Sequence, residues 1–115
     1  MSLTPAQTED VKQAAARFMY YNRPPEDIRP QLDLGYRIED QSVYIFEIRP
    51  QWDKPEIIRE NDVAKTTYIK SKSCWKIFWL RANLKWYLYP PRPYVKSISE
   101  FFDEVEKDPA ACFFG

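Results

Sequence analysis

Apolar residues recur at helical spacing near both ends of the chain. After Thr4-Pro5-Ala6-Gln7, where Thr4 and Gln7 can form a capping box, intervals of three and four residues predict one buried helical stripe. Pro24 ends this helix, because a proline disfavours α geometry in the residue before it. Ser97 can cap a second helix with its own stripe. The two stripes comprise Val11, Ala14, Ala15, Phe18 and Met19, then Ile98, Phe101, Phe102 and Val105.

Between these helices, alternating apolar and polar positions predict five strands. They cover residues 31–39, 42–49 and 62–70, and the two arms of a hairpin within residues 74–89. Residues 50–61 are interpreted as a longer connection, with a short helical turn beginning at Asp53. Three prolines, Pro90, Pro91 and Pro93, are expected to end the sheet in an extended connector. The apolar residues 112–115 are expected to dock into the core.

The order of these elements predicts the fold. Short connections make neighbouring strands antiparallel, and two amphipathic helices must bury their stripes against the sheet. The chain is therefore expected to form a single α+β domain over residues 1–115. Its sheet is predicted to be a five-stranded antiparallel meander, with the N-terminal and C-terminal helices packed on one face.

The hairpin within residues 74–89 holds three of the four tryptophans. Ala82-Asn83 is interpreted as a two-residue loop, because Asn tolerates the positive φ of a tight turn. This loop pairs Trp79 with Trp86, and we expect both indoles to face each other and to be largely buried. The same register pairs Arg81 with Leu84 and Ile77 with Leu88. A second two-residue turn at Lys72-Ser73 pairs Ile69 with Lys76, Thr67 with Phe78 and Lys65 with Leu80.

Side chains alternate between the faces of a strand, so these registers predict a mixed lysine and aromatic surface. Lysines between aromatic rings could neutralise phosphates while the rings stack bases of a single-stranded nucleic acid. A non-catalytic binding module is therefore the expected function. The alternative is a homodimeric or protein-interaction module, in which a second subunit covers the same surface; a helix could also cover it. The candidate binding residues are Lys65, Lys76, Phe78, Lys85, Tyr87 and Tyr89.

The charge distribution permits two interpretations. The chain has 17 basic and 17 acidic residues, yet residues 63–99 contain eight Lys and Arg and no acid. Such asymmetry can mark a site for an anionic partner. It can also mean that basic strands lie beside acidic ones, which is the interpretation we favour. Glu47, in the middle of an apolar strand, is accordingly expected to form a cross-strand salt bridge with Lys65 or Arg81 rather than to act in catalysis.

Several classes of enzyme site are excluded by composition. The chain has no histidine, which rules out Ser-His and Cys-His nucleophile pairs. Two cysteines without histidine are too few for a structural zinc site. Gly35 and Gly115 are the only glycines, so neither a P-loop nor a dinucleotide-binding loop can be built. An enzyme using carboxylates and lysines is the weakest hypothesis, and we predict no catalytic residue, metal or cofactor.

The compartment follows from the same composition. The mean hydropathy is −0.61, and no apolar run reaches the ~18 residues of a membrane span. The N-terminal residues lack the pattern of a signal peptide. Cys74 and Cys112 have no metal or redox spacing, so two reduced thiols are expected, although a disulfide between them is possible. These features predict a cytoplasmic protein without a membrane partner.

Several motifs together resemble one family. They are residues 32–38, Gln41-Ser42-Val43, residues 46–52 and 63–68, Trp75-Lys76, Leu84-Lys85-Trp86 and the terminal Cys112-Phe113-Phe114-Gly115. In this order they resemble the bacterial domain-of-unknown-function family 3024, over nearly the whole chain. The resemblance implies a small bacterial protein of one domain and brings no activity, cofactor or partner. Members of that family often have His directly after the Leu-Lys-Trp triplet, where this chain has Tyr87, so no role of a histidine can be carried over.

Overall fold

A computed structural model of the chain describes residues 2–114. Its elements follow one another as a helix, six strands and a second helix, with a single 3-10 turn between β3 and β4. Their bounds are α1 Pro5–Asn22, β1 Asp33–Glu39, β2 Ser42–Gln51, β3 Lys54–Ile69, the 3-10 turn Lys70–Lys72, β4 Cys74–Leu80, β5 Trp86–Leu88, β6 Tyr94–Val95 and α2 Ile98–Lys107.

The sheet is antiparallel and its first five strands lie in chain order, β1-β2-β3-β4-β5. The predicted α+β class and the five-stranded meander are thus confirmed. The expectation that the prolines end the sheet is wrong, because β6 returns to β4 beyond them. Pro93 lacks a donor but keeps its carbonyl, which accepts a hydrogen bond from the Ile77 N–H at 2.8 Å. Val95 and Tyr94 then pair with Trp75 and Lys76.

Both helices begin at the predicted caps. The Thr4 hydroxyl accepts from the Gln7 N–H at 3.1 Å, and the Gln7 side chain accepts from the Thr4 N–H at 2.9 Å. The Ser97 hydroxyl accepts from the Glu100 N–H at 3.3 Å. The apolar stripes pack against each other, with the Phe18 and Phe102 rings 5.3 Å apart. Their packing buries Val11, Ala15, Phe18, Ile98, Phe101, Phe102 and Val105.

The two helices cover one face of the sheet, as predicted. We call it the helix face, and its buried members include Val43, Ile45, Ala64, Thr66, Trp75 and Ile77. All of these except Thr66 form one hydrophobic core with the helical stripes. At the end of α1, Arg23 makes two hydrogen bonds to the carboxylate of Asp33 in β1, at 2.8 and 2.7 Å. This contact lowers the pKa of Asp33 to about 2 and fixes the helix end to the sheet edge.

Strands β2 and β3 continue beyond β1 as a two-stranded arm. The expected connection with a helical turn at Asp53 is wrong, because the chain reverses tightly at Trp52-Asp53 and β3 begins at Lys54. Side chains in the arm support the reversal: Gln51 donates to Asp53 at 2.7 Å and accepts from Arg59 at 3.0 Å. Trp52 at the tip is 92% exposed. Both faces of the arm are exposed from residue 52 to 61, so the apolar alternation that predicts strands is missing there.

The C-terminal segment docks onto the core, which confirms the prediction for Phe113. Its ring is buried and lies 4.8 Å from that of Tyr89. The carboxylate of Asp108 accepts from the N–H groups of Phe113 and Phe114, at 3.0 and 2.9 Å. Phe114 itself is 42% exposed, and Gly115 lies outside the described residues. In the part of the chain that the structure describes, no helix has both the length and the apolarity needed to cross a membrane.

Candidate functional site

The loop between β4 and β5 contains three residues, 82–84, one more than predicted. The Leu84 N–H donates to the Arg81 carbonyl at 2.8 Å, and the Arg81 N–H donates to the Lys85 carbonyl at 3.1 Å. Leu84 has φ 63, so this is a tight turn followed by a left-handed residue, a common three-residue hairpin loop. Asn83 stabilises it, because its side chain accepts from the Lys85 N–H at 3.1 Å and donates to the Tyr87 hydroxyl at 2.9 Å.

The longer loop shifts the hairpin register by one residue. Trp79 pairs with Tyr87, Leu80 with Trp86, and Phe78 with Leu88. A shift of one residue moves every side chain of a strand to the opposite face. The prediction that Trp79 and Trp86 face each other is therefore wrong, and both indoles are only half-buried. Tyr87 takes the place next to Trp79, and Trp86 moves to the side of the sheet away from the helices.

The register between β3 and β4 also differs from the prediction, but by two residues. Lys65 pairs with Phe78 and Thr67 with Lys76. The turn is longer than Lys72-Ser73, because it contains the 3-10 turn Lys70–Lys72 followed by Ser73 at φ 48. A shift of two residues leaves each side chain on its face. Lys65, Lys76 and Phe78 consequently lie on one face, as predicted.

This surface, which we call the outer face, lies opposite the helix face. Its charged and aromatic members include Arg37 on β1, Tyr44 on β2, Lys65 on β3, Lys76 and Phe78 on β4, and Trp86 on β5. Its centre is the ammonium group of Lys65, which three aromatic rings surround. The Nζ atom lies 5.4 Å from the ring centroid of Tyr44, 5.3 Å from that of Phe78 and 5.8 Å from that of Trp86. These are cation–π distances.

Two further cations extend this arrangement along the outer face. The Nζ atom of Lys76 lies 5.4 Å from the Phe78 ring centroid, and the Arg37 guanidinium lies 4.2 Å from that of Tyr44. Arg37 is neutralised by Asp62, with two hydrogen bonds of 2.7 and 3.0 Å that raise its pKa further. Within residues 2–114, neither Lys65 nor Lys76 has a carboxylate oxygen within 4.0 Å.

Among the eight basic residues of 63–99, only Arg92 has a carboxylate oxygen within 4.0 Å in residues 2–114. Arg92 lies 2.8 Å from Glu100 and 3.8 Å from Glu104, both on α2. The favoured interpretation, that basic strands pair with acidic ones, is therefore wrong for the lysines of the outer face. The predicted partner of Glu47 is wrong as well, because its carboxylate lies 3.2 Å from Arg49 on the same strand.

The remaining candidate residues lie away from the outer face. Tyr87 lies on the same face of the sheet as Trp79, at the hairpin end. Tyr89 is fully buried beside Phe113, and burial raises the pKa of its hydroxyl to about 12. Lys85 is exposed and precedes β5, on the hairpin loop. Three residues of the outer face were missed, Arg37, Tyr44 and Trp86. Tyr44 could have been found from its register with Lys65, whereas Trp86 required the correct loop length.

The chemistry available on the outer face is recognition by charge and stacking. Among the described residues, no three His, Cys, Asp or Glu side chains come together as a metal site. The lysines offer positive charge and the rings offer flat apolar surfaces, and both suit a ligand with anionic groups and planar rings.

One comparison identifies relatives of the chain. The family model described as a domain of unknown function (DUF3024) matches residues 3–115. Neither the curated proteins nor the solved structures that were compared gave a match.

Proposed function

The chain belongs to the DUF3024 family, whose description assigns no activity, and from the outer face we propose that it is a non-catalytic binding module for single-stranded nucleic acid. The observation that carries the proposal is the Lys65 ammonium among the rings of Tyr44, Phe78 and Trp86, without a carboxylate partner in residues 2–114. A phosphate can supply the missing negative charge, and a base can stack on a ring beside it.

The flatness of the surface favours a single strand over a duplex. A sheet face has no protruding helix to enter a major groove, but it presents several rings side by side to unstacked bases. Both helices lie on the opposite side of the sheet, so the outer face is free for a strand to run across β3, β4 and β5. Lys76, two residues before Phe78 on β4, places a second cation 5.4 Å from the centroid of the same Phe78 ring.

The direct test is titration of a fluorescently labelled single strand with the protein at low salt. Trp86→Ala should lower affinity roughly 5- to 150-fold, which is the ~1–3 kcal/mol of one stacked base. Lys65→Gln should also weaken binding, and it should flatten the dependence of log K on log salt by about 0.7, the contribution of one phosphate on a single strand.

Two control variants lie on the helical side of the molecule. Tyr20→Ala removes an aromatic ring that is 83% exposed on α1, and Lys107→Ala removes an exposed charge on α2. Both should bind the strand like the wild type. An equal loss from Trp86→Ala and Tyr20→Ala would contradict the proposal, and so would a wild type that binds no strand at high micromolar concentration.

A homodimer through the outer face is the second candidate. It is favoured by the exposed apolar side chains beside the lysines, since Leu88 is 41% and Tyr94 is 40% exposed. Exposed apolar surface at the margin of a sheet face is typical of subunit contacts. In that assembly the rings of one subunit would cover those of the other, and the lysine stems would pack over them.

For the cellular setting, we infer a bacterial cytoplasmic protein. The support is the resemblance described above and the two cysteines, Cys74 and Cys112, which are both free thiols. Free thiols suit a reducing compartment.

A further inference from the structure

The Arg81 guanidinium lies over two neighbouring aromatic rings at the end of the β4–β5 hairpin. Its guanidinium carbon lies 4.7 Å from the ring centroid of Tyr87 and 5.6 Å from that of Trp79. The two rings are neighbours because Trp79 and Tyr87 are paired across the hairpin. Arg81 is nevertheless exposed to solvent.

The hairpin loop fixes this arrangement. The Arg81 N–H donates to the Lys85 carbonyl, and its carbonyl accepts from the Leu84 N–H. Asn83 ties the loop to the Tyr87 ring through the hydroxyl group, at 2.9 Å. Hydrogen bonds to and from the loop therefore hold both the backbone of Arg81 and the Tyr87 ring.

The guanidinium lacks the partner that most arginines of this protein have. Arg23, Arg29, Arg37, Arg49 and Arg92 each lie within 4.0 Å of a carboxylate. In the described part of the chain, Arg81 has no such contact. A guanidinium whose flat face rests on rings keeps its N–H groups at the edge of the plane, where they match two oxygens of a phosphate. Lys85, the residue directly before β5, adds an exposed ammonium group at the same end of the hairpin.

We propose that the hairpin end is a phosphate-binding site, in which Arg81 makes a bidentate contact with the oxyanion and Lys85 supplies a second charge. This inference rests on the proposed function for its biological ligand, a phosphodiester of the bound strand. The site itself is defined by phosphate chemistry, so a free phosphate group fits it as well. It lies on the side of the sheet opposite the outer face, so a strand bound to both must pass around the end of the hairpin.

The site can be tested with inorganic phosphate alone. In NMR spectra of protein labelled with ¹⁵N, the Nε–H signal of Arg81 should shift saturably as phosphate is added, and Arg81→Lys identifies that signal by removing it. Arg59 is the matched control, because it is exposed and unpaired with any carboxylate in residues 2–114. A shift of the Arg59 signal as large as that of Arg81, or no saturable shift of Arg81, would overturn the proposal.

A second measurement separates the two sources of phosphate. With the labelled strand, Arg81→Gln should lower affinity several-fold and reduce the salt slope by about 0.7, whereas Arg59→Gln should change neither. If phosphate shifts the Arg81 signal while the wild type binds no strand, the phosphate site stands and the nucleic-acid function fails. If Arg81→Gln binds the strand with the wild-type affinity and salt slope, the phosphodiester is excluded as the ligand of this site.

Discussion

Tyr89 is the tyrosine whose surroundings differ most from water. Its side chain is fully buried under the C-terminal segment, and its hydroxyl has no hydrogen-bond partner among the described residues. Burial raises its pKa to about 12, and the nearby carboxylate of Glu104 acts in the same direction. A buried polar group without a partner loses the hydrogen bonds it made to water, which costs about 1–3 kcal/mol.

We therefore expect Tyr89→Phe to stabilise the protein, by about 1 kcal/mol in urea denaturation at neutral pH.

The pH dependence of the free energy of unfolding should also differ between the wild type and this variant. The folded protein keeps the Tyr89 proton up to about pH 12, while the unfolded chain loses it near ~10, so the wild type should lose stability as the pH rises between these values. The variant should lose less stability between about pH 10 and pH 12. Equal losses in both proteins would contradict this account.

Asn83 is the residue at which prediction from sequence succeeded in part. The reversal of the chain was located correctly, but the residue with positive φ is Leu84 and not Asn83. The length of the loop was decided by contacts that no spacing rule contains, namely the two hydrogen bonds of the Asn83 side chain to the Lys85 backbone and to Tyr87. That difference of one residue exchanged the faces of Trp86 and Tyr87.

At the scale of elements, the arm of β2 and β3 contrasts with both helices. The helices were predictable because each has a cap and one apolar stripe, and burial enforces both. The arm has neither, since its side chains are exposed on both faces from residue 52 to 61. It is held by backbone pairing and by a few polar contacts, such as those of Gln51 with Asp53 and Arg59.

A two-stranded hairpin without a third strand or a covering helix is only marginally stable in water. We therefore expect the backbone amides of residues 51–60 to exchange hydrogen faster, by at least about tenfold, than those of Val43, Ile45 and Ala64 in the same two strands. Exchange followed by mass spectrometry after pepsin digestion would measure this.

Trp52→Ala should leave the melting temperature unchanged, because that side chain is 92% exposed. Slow exchange throughout the arm would indicate a contact that the monomer does not contain.

At the scale of the molecule, the two faces of the sheet have different surroundings. The helix face is closed by α1, α2 and Phe113, and apolar spacing predicted the helical stripes that pack on it. The predicted registers placed Lys65, Lys76 and Phe78 on the face where the structure has them. They placed Tyr87 and Tyr89 on the wrong face. The charge asymmetry drew attention to residues 63–99, where Lys65 and Lys76 face the outer side without a carboxylate oxygen within 4.0 Å in residues 2–114.

The state of association distinguishes the two candidate functions of the outer face. Because we propose that the face binds a nucleic-acid strand, we expect the protein alone to sediment as a monomer of 13.8 kDa at micromolar concentration. The second candidate requires about twice that mass. In that case Phe78→Glu should give a folded monomer, because a charge buried in a subunit contact without a partner is costly.

If the wild type is a monomer, Phe78→Glu should leave the mass unchanged and weaken strand binding instead, because it removes a ring beside Lys65 and adds a negative charge there. A wild-type dimer that persists in Phe78→Glu would place the contact elsewhere and contradict the second candidate, leaving the outer face free.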